Sequence, residues 1–327
     1  MDNNLKKLSK IMFNNRQPTL FRHGIAAMDV VPCEDDDDYT IRLSPLSLEP
    51  YNSDFDGDNH NCYAIHDRKA LEELNEKAHI KNTYHYDSDN TFLSVPRHEA
   101  LQSCFALTEK IEPNYNKDSI TLNNLQELYE DFEYWNNEID KPIYIDGDYY
   151  SYGICLLNKW MGLNSVKLNK VITKKEADLV SETIFDEIGE DKFYDQLTDL
   201  NKKLLFFISS TNHCPTVNVE EMANVLDRKT EELFKNLPRK NPYIGYHINE
   251  GLVDRCIESL NTDSDLYKLY KAGSRLNKQQ LSRTCINVGY VADANNVVIY
   301  EPVCSNLMKG LTKEDYFLTS PGARKGE

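Results

Sequence analysis

The spacing of apolar positions divides the chain into three stretches. Over about the first 110 residues, apolar residues come in short β-prone runs. Tyr39–Leu43 and Thr91–Val95 are examples, and Asp, Asn, Gly and Pro cut between them. That pattern predicts short strands joined by tight loops. Arg68–Ala78 is the exception, because Leu71, Leu74 and Ala78 share one face at helical spacing. From about 111 to 240 the period is mostly helical. Thr173 and Glu176 have the spacing of a capping box, and Ala177, Val180, Ile184 and Ile188 follow at helical repeat. Val219–Leu237 reads as one helix with Met222, Leu226, Lys229 and Leu233 in a stripe. Such stripes are packing faces far more often than binding faces. Asn236–Pro242 has linker composition. Beyond 241, Asn287–Ala292 and Val297–Val303 flank Asp293-Ala294-Asn295-Asn296, which is hairpin chemistry. The expected architecture is α+β: a β-rich module over 1–110, a mostly helical one over 111–240 and a mixed one over 241–327.

Composition narrows the function classes. Hydrophobic residues make up 40% and charged residues 28% of 327, a globular balance. No apolar run approaches the roughly 18 residues of a membrane span, and no apolar segment follows the lysines of the first residues, so no secretory signal is expected. None of the eight cysteines stands in a CxxC spacing, so no zinc is expected in this chain and reduced thiols in a cytoplasmic setting are. The net charge of −16 argues against a chain that grips nucleic acid alone. The acid is concentrated internally. Residues 1–32 carry five Lys/Arg against two acids, and residues 239–327 carry twelve against ten. Glu34–Asp38, an unbroken acidic run, reads as a solvated loop tip.

The sharpest chemistry lies at Asp54-Phe55-Asp56-Gly57-Asp58. Three carboxylates at i, i+2 and i+4 repel one another unless a cation binds them. Gly57 permits a turn that lets all three converge, and hard oxygen ligands in that number suit Mg²⁺. A calcium loop of EF-hand type would need Gly and Glu at its sixth and twelfth positions, where Asn59 and Ile65 stand. A solvated acidic turn is the plainer alternative, since Asp-Gly is common turn chemistry. Phe55, with Tyr63, Ala64 and Ile65 downstream, suggests instead that the loop is rooted in a core.

The neighbourhood of this loop resembles a known family. Asn15-Arg16-Gln17-Pro18-Thr19-Leu20-Phe21-Arg22, Ser44-Pro45-Leu46, and Asn52-Ser53-Asp54-Phe55-Asp56-Gly57-Asp58 follow in order. They look like the NR-x-PTL-x-R, HPL and NADFDGD segments of beta-prime-type subunits of multi-subunit DNA-dependent RNA polymerase. Pro96 through Thr108 is similar to the family's P-x-QD-x-x-LG segment. Ala272-Gly273-Ser274-Arg275 with Gln279-Gln280 resembles an element near the secondary channel. Ser305-Asn306-Leu307, Gly310-Leu311-Thr312, Tyr316-Phe317 and Gly322-Ala323-Arg324-Lys325-Gly326 resemble the stretch that leads into the bridge helix. Between 110 and 240 only helical character and Ser151-Tyr152-Gly153 echo the family. Ser44 and Phe21 replace histidines, His98 replaces a glutamine and Ser53 replaces an alanine.

The resemblance implies a double-psi β-barrel for 1–110, a funnel-like helical module for 111–240 and a secondary-channel rim for 241–327. It implies two-metal nucleotidyl transfer, with one Mg²⁺ on Asp54, Asp56 and Asp58 and a second arriving with the NTP. Arg16 and Asn52 would face the ribose, while Arg22, Arg324 and Lys325 would touch nucleic acid. Taken alone, Arg16 would read as a surface arginine and Asn52 as a turn residue. Expected partners are beta-type chains, a chain supplying the bridge helix and trigger loop, DNA template, RNA product and NTPs. The divergence and the end points suggest a split, phage-encoded subunit in host cytoplasm or virion, inactive alone. A single-chain silencing-type RNA polymerase and a non-catalytic assembly subunit are the alternatives.

Overall fold

The structure is a computed structural model that describes residues 11–20, 22–31, 33, 37–83, 91–293 and 295–326. The chain divides into two compact units, Met1–Thr211 and Asn212–Glu327. Helices run through both units and two small sheets lie in the first, so the molecule is α+β as expected.

The first unit opens with a three-stranded antiparallel sheet. Strand β1 (Ile11–Arg16) lies between β2 (Ile25–Asp29) and β3 (His60–Ala64). The short helix α1 (Leu48–Tyr51) buries Leu48, Pro50 and Tyr51 and delivers the chain to the acidic loop before β3. Helix α2 (Arg68–Lys77) follows, its amide end capped by the Asp67 carboxylate accepting from Ala70 N–H at 2.9 Å. Among the described residues, this stretch contributes these three strands where a module of double-psi-barrel type was expected. Tyr39–Leu43 is not a strand, and its Tyr39 and Ile41 are 91% and 52% exposed. Thr91–Val95 forms no regular strand either, although Phe92, Leu93 and Val95 enter the core. Phe21 and Glu34–Asp36 lie outside the described residues.

Helix α3 (His98–Thr108) is the spine of this unit, buried at every position from Ala100 to Thr108. Helix α4 (Phe132–Asn137) and a second sheet follow: β4 (Ile120–Thr121) runs parallel to β5 (Pro142–Ile145), which pairs antiparallel with β6 (Asp148–Ser151). The expectation of a mostly helical middle did not place this sheet. Its β5–β6 turn is Asp146-Gly147, with φ of 55° and 89°, the backbone of a tight two-residue hairpin. Helices α5 (Tyr152–Trp160), α6 (Ala177–Ile188) and α7 (Glu190–Ser210) complete the core. Ala177, Val180 and Ile184 are buried, as their spacing predicts. The Thr173–Glu176 pair forms in the turn before α6. Glu176 accepts from the Thr173 amide at 3.3 Å, while the Thr173 hydroxyl oxygen accepts from Lys175 N–H at 3.3 Å.

In the second unit the stretch expected as one helix is two, α8 (Val219–Asn224) and α9 (Arg228–Lys235). The first ends at Asn224, and Asp227 caps the second, accepting from Thr230 N–H at 2.7 Å. The expected stripe forms only in part: Leu226 is 6% exposed and Met222 packs against this unit's core, whereas Leu233 is 46% exposed and Phe234 at 0% carries the burial in α9. Helices α10 (Pro242–Glu258), α11 (Asp265–Ala272) and α12 (Lys278–Leu281) follow, then a π-helical turn Ser282–Ile286. Asn236–Pro242 connects α9 to α10 and buries Leu237, so it is part of this unit's packing. The expected hairpin over 287–303 is reduced to isolated bridges, Gly289 with Val303 and Ala292 with Val298. Helix α13 spans Lys313–Gly326, so the Gly322–Gly326 segment occupies its last turns rather than its first.

Candidate functional site

The acidic loop hangs between α1 and β3, and both anchors are fixed by backbone hydrogen bonds. Asn52 ends α1 in the left-handed region, with φ 46° and ψ 47°, and its amide donates to the carbonyls of Glu49 and Leu48. Asparagine tolerates that conformation better than most side chains, so Asn52 is a turn residue whatever else it does. Ser53 N–H then donates to Leu48 O at 2.9 Å. At the far end, β1 and β3 pair with Arg16 opposite His60. That register carries the end of β1 alongside the loop, only two residues beyond Asp58.

Within the loop the backbone turns the three carboxylates together. Asp56 N–H donates to Asp54 Oδ1 at 3.0 Å, and Asp54 N–H donates to Asp58 Oδ2 at 3.0 Å. Gly57 takes φ 115°, a conformation open to glycine and strained for other residues. One oxygen from each of Asp54, Asp56 and Asp58 lies within 4.8 Å of the others. Opposite oxygens around Mg²⁺ stand about 4.2 Å apart at its usual bond lengths, so the donor set suits such an ion in chemistry and comes close to its span. Asp54 and Asp56 are exposed, which leaves room for water or phosphate at the same ion.

Arg16 is the nearest fixed cation of this set. Its Nε and Nη2 donate to Asp58 Oδ2 and Oδ1, both at 2.9 Å, a two-pronged pair with each side chain less than 20% exposed. The Arg16 guanidinium, with the Asp54 amide and the Ser53 hydroxyl, holds the Asp58 carboxyl well below the usual carboxylate range. The neighbouring Asp54 carboxylate pushes the Asp56 carboxyl up, through both a hydrogen bond and repulsion. One loop thus contains a firmly ionised, pinned carboxylate and one that resists ionisation. A divalent cation would relieve the second.

The structure brings together the triad, Arg16 and Asn52. Arg22 is placed in a short 3-10 turn, Arg22–Gly24, at the rim of an apolar groove with Phe13, Leu20 and Ile25. Arg324 and Lys325 belong to the last turns of α13. Phe55 does not root the loop, because it is 73% exposed, and Tyr63 is 48% exposed. The anchor is Tyr51, which is 2% exposed. Several neighbours were given no role by sequence reasoning. Ser53 Oγ donates to Asp58 Oδ2 at 2.9 Å and meets His60 Nε2 at 3.2 Å. A cavity of about 150 Å³ beside the loop is lined by Glu49, Asn52, Ser53, Asp54, Arg97 and His98. Ser44, noted only as a replacement, accepts from Leu46 N–H at 3.3 Å and so starts the turn that leads to α1. No signal short of the strand register could have found the Arg16–Asp58 pair.

The chain is also similar to known proteins. The family described as RNA polymerase Rpb1, domain 2 matches residues 2–80, the stretch that holds β1, β2, the acidic loop and β3. The chain is 23% identical to the DNA-directed RNA polymerase subunit beta′ of Fusobacterium nucleatum, over 95% of this chain and 25% of that protein. It is 24% identical to the same subunit of Aquifex aeolicus, over 95% of this chain and 22% of that protein. For Thermosipho melanesiensis the identity is 27%, over 95% of this chain and 20% of the relative. The chain therefore spans about a quarter, or less, of the length of the curated relatives it matches. Together, the acidic loop, the arginine that faces it and the extent of the matches make this chain a relative of the beta-prime-type subunits of DNA-directed RNA polymerase.

Proposed function

We propose that this chain supplies the divalent-cation site of a DNA-directed RNA polymerase and works as one of several subunits. The observation that carries the reading is the convergence of Asp54, Asp56 and Asp58 oxygens to within 4.8 Å in one loop, beside Arg16. The relatives' printed name, a polymerase subunit, supports the same activity. In this reading the β2-β1-β3 sheet is part of a double-psi barrel. Template DNA, RNA product, NTPs and other polymerase subunits are the partners.

When bound on the three aspartates, Mg²⁺ would polarise the RNA 3′-hydroxyl for attack on the incoming NTP, with a second ion accompanying the triphosphate. The chain's own residues have three tasks. Asp54 and Asp56 provide exposed oxygens, and Asp58, pinned by Arg16, fixes the geometry of the set. Arg16 also orients substrate. Of its five N–H donors Asp58 takes two, and those left over suit a ribose hydroxyl. Asn52 lines the adjoining cavity and offers an amide to the same sugar. Arg22, Arg324 and Lys325 are assigned to nucleic-acid backbone by the same resemblance.

RNA synthesis by the purified complex, with wild-type or Asp56→Ala chain, tests the proposal. The substitution is expected to lower the rate about a thousandfold or more without disturbing assembly. A rate near wild type in an intact complex would overturn it. A companion assay addresses the sugar. Asn52→Ala is expected to narrow the preference for ribo- over deoxyribonucleotides more than it slows ribonucleotide addition, because a site built for a hydroxyl rejects its absence strongly. Unchanged discrimination in single-nucleotide addition would remove Asn52 from that role.

A further inference from the structure

The two oxygens of Asp58 are not equivalent. Oδ2 receives three donors: Arg16 Nε at 2.9 Å, Ser53 Oγ at 2.9 Å and the Asp54 amide at 3.0 Å. Oδ1 receives Arg16 Nη2 at 2.9 Å. A carboxylate oxygen offers about two good lone-pair directions, so Oδ2 is fully committed to the protein. Oδ1 retains one direction, and it is the oxygen of Asp58 left to face a cation.

The Ser53 contacts fix more than one carboxylate. A serine has a single hydroxyl proton, and here it points at Asp58. The 3.2 Å contact between Ser53 Oγ and His60 Nε2 must then carry its proton on nitrogen, with the serine oxygen accepting. His60 is thereby the Nε2–H tautomer, and its Nδ1, buried and unpartnered, holds the lone pair. The ring rests edge-on against Tyr51, with ring centres 5.3 Å apart, and Tyr51 is buried. A continuous line runs from the core through Tyr51, His60 and Ser53 to Asp58 Oδ2. Alanine, which occupies the position of Ser53 in the resembled family, has no hydroxyl with which to close it.

We propose that Ser53 and His60 are positioning residues, a side-chain brace that, together with Arg16 Nε and the Asp54 amide, holds Asp58 Oδ2 to the protein so that Oδ1 addresses the divalent cation. The inference rests on the metal-site reading above and deepens it. It needs no proton transfer and no change of charge in the loop. Its content is geometric: one oxygen is tied back and the other presented.

The test uses the full 327-residue chain and Mn²⁺ as the probe, with free Mn²⁺ followed by electron paramagnetic resonance and folding by circular dichroism. Loss of a hydrogen bond to a charged group should weaken Mn²⁺ binding about tenfold in Ser53→Ala. Ser53→Thr, which keeps the hydroxyl, should bind within about twofold of wild type. His60→Leu should weaken binding and His60→Gln, which keeps a donor, should largely restore it. Nitrogen-15 spectra of labelled histidine should show His60 as the Nε2–H tautomer. Asp56→Asn separates the two readings. If it leaves Mn²⁺ binding intact, the metal-site reading falls. If it abolishes binding while Ser53→Ala binds like wild type, or if His60 is the Nδ1–H tautomer, the brace is overturned and the metal site stands.

Discussion

At the scale of single residues, the behaviour of the loop rests on opposite shifts in adjacent carboxylates. Asp58 is held below the ordinary carboxylate range by Arg16. A depressed folded-state value contributes stability that is complete above the unfolded value, about 3.9, and is lost as pH falls through the folded one. Asp56 is raised by Asp54, so it works the other way, costing stability once pH rises through its shifted value. Carbon-13 titration of metal-free protein is expected to find Asp58 ionised throughout the mildly acidic range, with Asp56 titrating above an ordinary aspartate. Arg16→Met should return Asp58 toward the normal value. An Asp58 that titrates normally in the wild-type chain would contradict the pairing. The triad was legible in the sequence because its members are two residues apart. Its partner was not, because Arg16 and Asp58 are 42 residues apart and meet only through the β1–β3 register. Phe55 misled for a related reason: an aromatic inside a turn looks like an anchor, yet this one points to solvent and the anchoring falls to Tyr51.

At the scale of elements, periodicity was reliable where a helix turns one apolar stripe inward, buried in α6 and half-buried in α2, and failed where tertiary partners decide. Tyr39–Leu43 has strand-forming residues but pairs with nothing regular, and β-propensity expresses itself mainly through neighbours. The β5–β6 hairpin was readable from Asp146-Gly147 between apolar runs and was passed over within a helical stretch. The interruption at Asp227 was readable only as capping chemistry, since apolar residues continue on both sides. Gly153 shows what the sequence leaves implicit. A Cβ there would stand 2.2 Å from Leu107 O, so α5 touches α3 at this point through bare backbone. Gly153→Ala should therefore destabilise the first unit by about 3 kcal/mol or more, as overpacking against backbone that cannot yield. Chemical denaturation showing a loss below roughly 0.5 kcal/mol, the ordinary range for a surface substitution, would mean that the helices separate easily there.

At the scale of the whole molecule, each unit has its own apolar core, one built around α3, α5 and α7, the other around Phe234, Val253 and Ile257. The site lies wholly in the first. Phe234→Ala should cost the second unit about 3–5 kcal/mol while Mn²⁺ affinity at the triad changes by less than about twofold. A large loss of affinity in that variant would show that the site depends on the second core. The net charge of −16 argues against a chain that grips nucleic acid alone. The central claim is that Asp54, Asp56 and Asp58 hold the divalent ion, and the most direct measurement places that ion on the chain. Fe²⁺ substituted for Mg²⁺, with peroxide and ascorbate, cuts polypeptide close to wherever it binds. The account predicts cleavage centred on residues 52–60 in the wild-type chain, abolished by excess Mg²⁺ and by Asp56→Asn. Cleavage centred elsewhere, or unchanged by that substitution, would contradict it.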